Sequence, residues 1–308
     1  MMSADPIYTL ADLDTWSFTG TALAVLGHPI RHSISPTMHN AALAQMAQRD
    51  PRFATWKYFR FDIAPEELEV ALDKFRECGF KGLNLTIPHK VIAFDLVNTA
   101  GTDARAVRAV NTLSLDAGVW FGENTDGYGL ESGISEDLRL PLAGADVVLL
   151  GAGGAARGAA AICLERNCRS LWIANRTRAN LDTLLAQLGP LAGTIPLHGF
   201  DPLQPPASLP ARALVINATS AGLRSDDPLP IDLAALAGRA RPAGVYDMIY
   251  NPPETPLLAQ ARALGLPAAN GLSMLVHQGV RALEIWSGAA VPVDAMRGAV
   301  HSAMKTFA

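Results

Sequence analysis

The stretch 146–158, DVVLLGAGGAARG, runs from a short apolar strand into a glycine-rich turn and then an alanine-rich helix. Such a turn can hold a pyrophosphate, because glycines let the backbone approach the anion and the helix N-terminus behind them presents free N–H groups. Gly151, Ala152, Gly153, Gly154 and Ala155 are the residues that would surround it. A second apolar run, SLWIA, ends at Asn175-Arg176-Thr177-Arg178. An acid here would accept hydrogen bonds from a ribose 2′-OH, whereas an arginine suits a 2′-phosphate. The pattern points to NADP(H), and so to hydride transfer. Tight turns use glycine for conformational reasons too, but here strand, turn, helix and second strand follow in order. Arg178 also reads as a solvated loop charge.

Three polar clusters stand in the first half of the chain. His32-Ser33-Ile34-Ser35-Pro36 follows the apolar run Thr21–Gly27. Ser35 suits a helix N-cap, with Pro36 at the first helical position. The other reading is that Ser33 and Ser35 grip a carboxylate, since strand C-termini in open α/β sheets face the ligand crevice. In Asn84-Leu85-Thr86-Ile87-Pro88-His89-Lys90, Asn84 and Thr86 share one face by the two-residue strand period, and Lys90 is either a solvated strand-end cap or a functional cation. Asn111 and the run Gly122-Glu123-Asn124-Thr125-Asp126-Gly127 form the third; an aspartate in such company is ordinarily a turn residue. Hydride addition to a ketone leaves an alkoxide that needs a proton and a nearby positive charge. A lysine supplies both, and a neighbouring carboxylate orients it.

The elements that must position these residues alternate. Thr21–Gly27, 56–63 and the run GLNLT read as strands, with helices from Ser35 and from Pro65 to about Cys78 between them. Residues 111–115 and 119–122 flank Asp116-Ala117-Gly118 as a hairpin. A second series starts near Asp146, with strands at 146–150, 170–174, 213–217 and 244–249; residues 190–210 read as loop and short strand, and 272–288 as an amphipathic helix. This order predicts an α/β protein of two domains, each around a mostly parallel sheet. The expected division is 1–127, 128–270 and 271–308, the last segment returning to the first domain.

With 308 residues, two cores are the default, and 49% hydrophobic residues exclude disorder. A net charge of −4 without a basic block argues against a nucleic-acid partner. Three cysteines form neither a CxxC pair nor a disulfide framework, and the 7 histidines show no metal-ligand spacing, so no metal is expected. The N-terminal stretch MMSADPIYTLADLD lacks an export pattern, and the alanine-rich run near 152–163 is interrupted by Arg157. The protein is expected to be cytoplasmic, with no membrane association.

The segments GHPIRHSISPTMHN, GLNLTIPHK, AVNTL, GENTDGYG, GAGGAARG, NRT, NATSAGL, YDMIYNPPETPLL and NGLSMLVHQ occur in one order, and over nearly its whole length the chain resembles shikimate dehydrogenase. The resemblance implies a substrate domain, a Rossmann-type NADP domain, and NADPH-dependent reduction of 3-dehydroshikimate to shikimate in the biosynthesis of aromatic amino acids. It implies Lys90 and Asp126 as the catalytic pair and Ser33 and Ser35 on the substrate carboxylate. Asn84, Thr86, Asn111 and Gln278 would meet the ring hydroxyls, and Tyr250 would close the pocket from the cofactor side. Asn175, Arg176 and Thr177 would meet the adenosine end, joined by Arg178; Thr219 and Ser220 lie on the cofactor path, and Met248 and Gly271 border the nicotinamide. NADP-using relatives often place a second basic residue five after the asparagine of NRT; Asn180 stands there, so the NADP preference rests mainly on Arg176. The small-molecule substrate is the only partner implied, with the chain a monomer or homodimer. The alternatives are dual use of quinate, against which Ser35 speaks, and a non-catalytic NADP-binding regulator, which has no need of a proton donor. Dehydrogenases acting on folates or aminoacyl-tRNA are disfavoured by the pairing of HSISP with NLTIPHK.

Overall fold

A computed structural model describes residues 6–97, 99–224, 226–238 and 240–307. It divides into two compact units, Met1–Asp126 with Val276–Ala308, and Gly127–Leu275.

The first unit opens with β1 (Thr21–Gly27), α1 (Ser35–Ala47), β2 (Trp56–Asp62), α2 (Leu68–Glu77) and β3 (Gly82–Leu85). It continues through α3 (His89–Leu96), β4 (Thr99–Ala100), α4 (Thr102–Val107), β5 (Thr112–Asp116) and β6 (Val119–Glu123). The strands form one sheet in the order β2-β1-β3-β5-β6-β4. β1 runs parallel to β2 and β3, and β4 parallel to β6, whereas β5 is antiparallel to β3 and β6. The hairpin turn is Ala117-Gly118, both at positive φ (48° and 78°). That conformation is easy for the glycine and matches the twist of a two-residue hairpin. Beneath the sheet, Phe61, Phe75 and Phe80 meet edge to face, with centroids 4.7 to 5.7 Å apart.

Several expectations need correcting locally. Ser35 is the first residue of α1 and Ile34 its N-cap, with no side-chain capping bond. The Ser35 N–H instead points to Ser33 Oγ at 3.4 Å, so the upstream serine supplies the acceptor. β3 stops at Leu85, which leaves Thr86 in the following turn and takes away the shared strand face with Asn84. Lys90 is not at a strand end but in the first turn of α3, a helix too short for its periodicity to stand out beside Pro88.

The second unit is built from α5 (Asp126–Leu138), β7 (Asp146–Leu150), α6 (Gly154–Glu165), β8 (Ser170–Ala174), α7 (Arg178–Ala192) and β9 (Leu197–Phe200). After these come β10 (Leu214–Asn217), α8 (Leu233–Ala237), β11 (Gly244–Asp247), α9 (Pro256–Ala263), β12 (Ala268–Asn270) and the start of α10 (Leu272–Ser287). Every strand pair is parallel, in the order β12-β11-β10-β7-β8-β9. The direction of winding reverses between β7 and β10, the doubly wound arrangement with its switch point there. β8, β10 and β11 are buried throughout, as sheets covered on both faces require. α7 carries Pro190 within its last turns, so helix covers part of the stretch read as loop.

The chain leaves the second unit inside α10, after Leu275 rather than at 270. The first turn of α10 is held there by two bonds: Ser273 Oγ donates to Asp137 Oδ1 at 2.9 Å, and Met274 N–H to Tyr246 Oη at 3.2 Å. Further along, Trp286 of α10 donates Nε1–H to Leu113 C=O at 2.9 Å in the first unit, and α11 (Val293–Phe307) packs on α1.

The Trp286 indole lies directly on Gly82, where an added Cβ would overlap the ring. Gly82→Ala is therefore expected to destabilise the protein by about 1–3 kcal/mol, the usual cost of overpacking, read as a lower urea midpoint at unchanged slope.

Candidate active site

In the first unit the polar clusters meet because of strand direction. Parallel β1 and β3 end side by side, with Leu26 opposite Leu85. Antiparallel β5 begins where β3 ends, with Asn84 opposite Thr112, and Glu123 at the end of β6 pairs with Thr112 in turn. One sheet edge thus receives Ser33, Thr86 and Asn111 from loops, and Lys90 and Asp126 from the first turns of α3 and α5.

Lys90 Nζ donates to Asp126 Oδ2 at 2.7 Å, with both side chains less than a third exposed. Lys90 is anchored at its backbone, where its carbonyl accepts from Val110 N–H at 2.8 Å. Asp126 opens α5, and its N–H donates to Asn124 Oδ1 at 3.1 Å. Its other carboxylate oxygen accepts from Asn111 Nδ2 at 2.9 Å.

Asn111 is 2% exposed. Its second amide hydrogen goes to Thr125 Oγ1 at 3.0 Å, and its Oδ1 accepts from Thr125 N–H at 2.7 Å and Thr112 Oγ1 at 3.0 Å. Asn84, also buried, donates to Asn111 C=O (3.1 Å) and Thr112 Oγ1 (3.0 Å) and accepts from Tyr58 Oη (2.8 Å). Both amides thus have their hydrogens in use within the protein. A ring-hydroxyl contact donated by either would require one of these bonds to be given up; as they stand, they hold Asp126 and the strand ends in place. Ser33, Ser35 and Thr86 are half-buried at the same edge, and Gln278 is half-buried on α10.

Behind Tyr58, the His39 ring is stacked at 4.0 Å and 11°, and its Nδ1 faces the Ser35 carbonyl at 2.9 Å. Burial lowers the His39 pKa from 6.5 to about 4, so the ring is neutral at pH 7.

The second unit carries a separate cavity of about 330 Å³ at the switch point between β7 and β10. Gly151, Ala152 and Gly153 line it, as do Thr219 and Ser220 after β10, and Asn175 and Arg176 after β8. Gly151 has φ +112°, a conformation side chains resist, and a Cβ added at Gly153 or Gly154 would meet no atom within 4 Å. The turn therefore leaves open space above backbone N–H groups at the N-terminus of α6, which suits a pyrophosphate.

Of the remaining predicted cofactor residues, Gly154 and Ala155 form the exposed first turn of α6. Thr177 caps α7 and accepts from Asn175 Nδ2 through its carbonyl at 2.9 Å. Arg178 is turned onto Asp182 of its own helix at 2.8 Å, whereas Arg176 faces the cavity. Met248 and Gly271 do come together: a Cβ on Gly271 would overlap the Met248 carbonyl. Tyr250 is half-buried beyond β11, and burial raises its pKa.

Sequence reasoning missed the support under this cavity. Asp247, with no exposure, accepts from Asn217 Nδ2 (2.9 Å), Ile249 N–H (3.1 Å) and Thr255 Oγ1 (2.6 Å). Asn217 Oδ1 in turn accepts from Thr219 Oγ1 at 2.7 Å and fixes that turn. The available signal was an aspartate ending an otherwise apolar strand. Asp227 also lines the cavity, and its carboxylate closes a loop by accepting from the Gly222 and Arg224 N–H groups at 3.0 Å each.

Among the described residues, no group of three or more His, Cys, Asp or Glu side chains is placed to hold a metal ion. None of their helices is long and apolar enough to cross a membrane. The Cys163 and Cys168 thiols are buried, and burial pushes both pKa values up, Cys168 to about 11, away from the reactive thiolate.

Comparison with known proteins decides the family. The model described as the shikimate dehydrogenase substrate binding domain matches residues 25–113, and that of the shikimate 5′-dehydrogenase C-terminal domain matches 271–301. A shikimate dehydrogenase (NADP(+)) from a Geobacter species is 39% identical over 286 residues, 92% of this chain and 95% of that protein. The chain belongs to the shikimate dehydrogenase family. The shikimate dehydrogenase of Thermus thermophilus, crystallised with NADP(H) and shikimate, is 32% identical with a TM-score of 0.77, covering 92% of this chain and 99% of that one. A quinate dehydrogenase from Corynebacterium glutamicum in complex with NAD matches at 29% identity and TM-score 0.79, again over 92% and 99% of the two chains. The shikimate dehydrogenase fold thus extends to an enzyme of different substrate and cofactor, so specificity has to be argued from side chains.

The His39 shift has a consequence for folding. Its folded-state pKa of about 4 lies below 6.5, so at mildly acidic pH the unfolded chain binds a proton that the folded chain refuses. This contribution is whole above pH 6.5 and is lost as pH falls toward 4, a change on the order of 3 kcal/mol. His39→Phe should flatten the stability-against-pH curve across that window, measured by urea unfolding at closely spaced pH values.

Proposed function

We propose that this family member catalyses the NADP(H)-dependent interconversion of 3-dehydroshikimate and shikimate, with Lys90 and Asp126 as its proton-handling pair. The observation that carries this reading is the 2.7 Å contact between them, on an edge that also gathers two serines and a threonine. Gly151–Gly153 would hold the pyrophosphate of NADPH and Arg176 its 2′-phosphate, and the bound cofactor would supply the hydride.

The protein's own groups do the rest. Lys90 holds an ammonium beside the ketone oxygen, stabilises the charge that develops there and delivers the proton. Asp126 keeps that ammonium aimed and accepts a hydrogen bond from a substrate hydroxyl. In the oxidative direction the proton returns to Lys90. Ser33 and Ser35, at the N-terminus of α1, take the substrate carboxylate, where helix-end N–H groups favour an anion. Thr86 and Gln278 address the ring hydroxyls, with Asn84 and Asn111 orienting the polar wall. Tyr250 is assigned to the substrate as well. Gly154, Ala155, Asn175, Thr177, Thr219 and Ser220 complete the cofactor contacts, with Met248 and Gly271 at the nicotinamide. The same reading takes the first unit as the substrate domain and the second as the NADP domain, in a cytoplasmic monomer or homodimer.

Purified protein assayed by nicotinamide absorbance with shikimate or quinate, each with NADP+ or NAD+, tests the reading; shikimate with NADP+ is expected to give the highest kcat/KM. Lys90→Ala should lower kcat by about 10²–10⁴-fold with cofactor affinity nearly unchanged, and full turnover would refute the assignment. Arg176→Ala should raise the Kd for NADPH while sparing NADH, measured by fluorescence titration. Equal losses for both cofactors would count against a phosphate contact.

A further inference from the structure

The first unit contains a line of buried polar groups that reaches well beyond the proton-handling pair. Tyr58 on β2 is 1% exposed, and its hydroxyl donates to Asn84 Oδ1 at 2.8 Å. Asn84 Nδ2 donates to Thr112 Oγ1 at 3.0 Å, and Thr112 Oγ1 donates to Asn111 Oδ1 at 3.0 Å. Asn111 Nδ2 donates to Asp126 Oδ1 at 2.9 Å. Every donor in this series points toward Asp126. Its charge favours that polarity, and each bond strengthens the next in a low-dielectric interior.

The direction matters because an amide has two orientations. Turning Asn84 over would set Oδ1 against the Asn111 carbonyl, which already accepts from Leu85 N–H at 2.8 Å, and would face the Tyr58 hydroxyl with a second donor. The Asn111 carbonyl thus selects this orientation of Asn84, and the phenol proton satisfies the amide oxygen that is left facing Tyr58. A phenylalanine would fill the same space, so packing alone does not account for the hydroxyl.

Tyr58 is gripped from α1 on two sides. His39 stacks on its ring at 4.0 Å. Asn40 brackets its backbone, with Oδ1 accepting from Tyr58 N–H and Nδ2 donating to Tyr58 C=O, both at 2.9 Å. His39 Nδ1 faces the Ser35 carbonyl, so it carries the hydrogen and locks the ring on the same helix as that serine. Met38 and His39 pack against Gly279 of α10, where a Cβ would overlap Met38, next to Gln278.

We propose that Tyr58, clamped by His39 and Asn40, is a positioning residue for substrate recognition: it is the first donor of a four-bond relay that fixes the Asn84 amide and, through Thr112 and Asn111, the Asp126 carboxylate. The proposal rests on the reading of this edge as the shikimate site.

Two double-mutant cycles test it in the full-length enzyme, Tyr58→Phe with Asn84→Ala and Tyr58→Phe with Thr112→Val. The second cycle uses shape-conserving changes only and decides the matter if the Asn84 variant folds poorly. Tyr58→Phe is expected to lower kcat/KM for shikimate about 5- to 30-fold, the effect of leaving one buried acceptor without its donor, mainly through a higher KM. The KM for NADP+ should stay at the wild-type value, and each double variant should be less than twofold worse than its Asn84 or Thr112 parent. A mere loss of folded protein would lower kcat and leave KM alone. Losses that multiply in the cycles, wild-type kinetics in Tyr58→Phe, or a drop confined to kcat and Tm would overturn the proposal while leaving the shikimate reading intact. Wild-type protein that fails to turn over shikimate would instead bring down the reading, and the proposal with it.

Discussion

An ammonium and a carboxylate drawn partly out of water attract each other strongly, yet the pair is costly unless its remaining hydrogen-bonding capacity is met. At Lys90–Asp126 the second carboxylate oxygen takes the Asn111 amide, and the backbones of Lys90 and Asp126 are tied to Val110 and Asn124. Most of the first unit's polar interior follows from that requirement. Asn111 can serve Asp126 only if its own oxygen is satisfied, which brings in Thr112 and Thr125, and behind them Asn84 and Tyr58. The buried groups hold still so that the half-exposed ones are already aimed, as catalysis by fixed dipoles requires.

The second unit meets its own constraint in the same manner with different parts. An anion at a glycine turn needs backbone N–H groups left unpaired, and a neighbouring turn kept at a fixed distance. The space above Gly153 and Gly154 is open, and the support lies below it, through Asp247, Asn217 and Thr219. A buried carboxylate with three donors is stable as a structural post, although burial pushes its pKa up.

Both units gather their candidate site residues at the carboxyl ends of parallel strands. The first has to break strict parallelism to do so. By inserting β5 and β6 as a hairpin, it brings Asn111 and Asp126, which flank the two arms at its open end, to the edge where β1 and β3 terminate. A wholly parallel unit would have needed two more crossover helices to return the chain to that edge.

The chain by itself determined whatever depends on neighbours in sequence. The glycine turn between strand and helix, Arg176 after the second strand, the Asp116-Ala117-Gly118 hairpin and the alternation that implies parallel sheets are all local patterns, set by backbone sterics and periodicity. Order-preserving motifs were enough to indicate the family and to nominate Lys90 with Asp126. Helix α3, whose periodicity is too brief to register, was not legible, and nor were the bonds that hold the first turn of α10, because their partners Tyr246 and Asp137 are distant in sequence. Nor could spacing say that Asn84 and Asn111 have their amide hydrogens in use inside the protein, that Arg178 turns to Asp182 while Arg176 faces the cavity, or that Asp247 supports Thr219. Hydrogen-bond satisfaction is a property of three-dimensional neighbourhoods: which donor meets which acceptor is decided only when strands far apart in sequence are laid side by side.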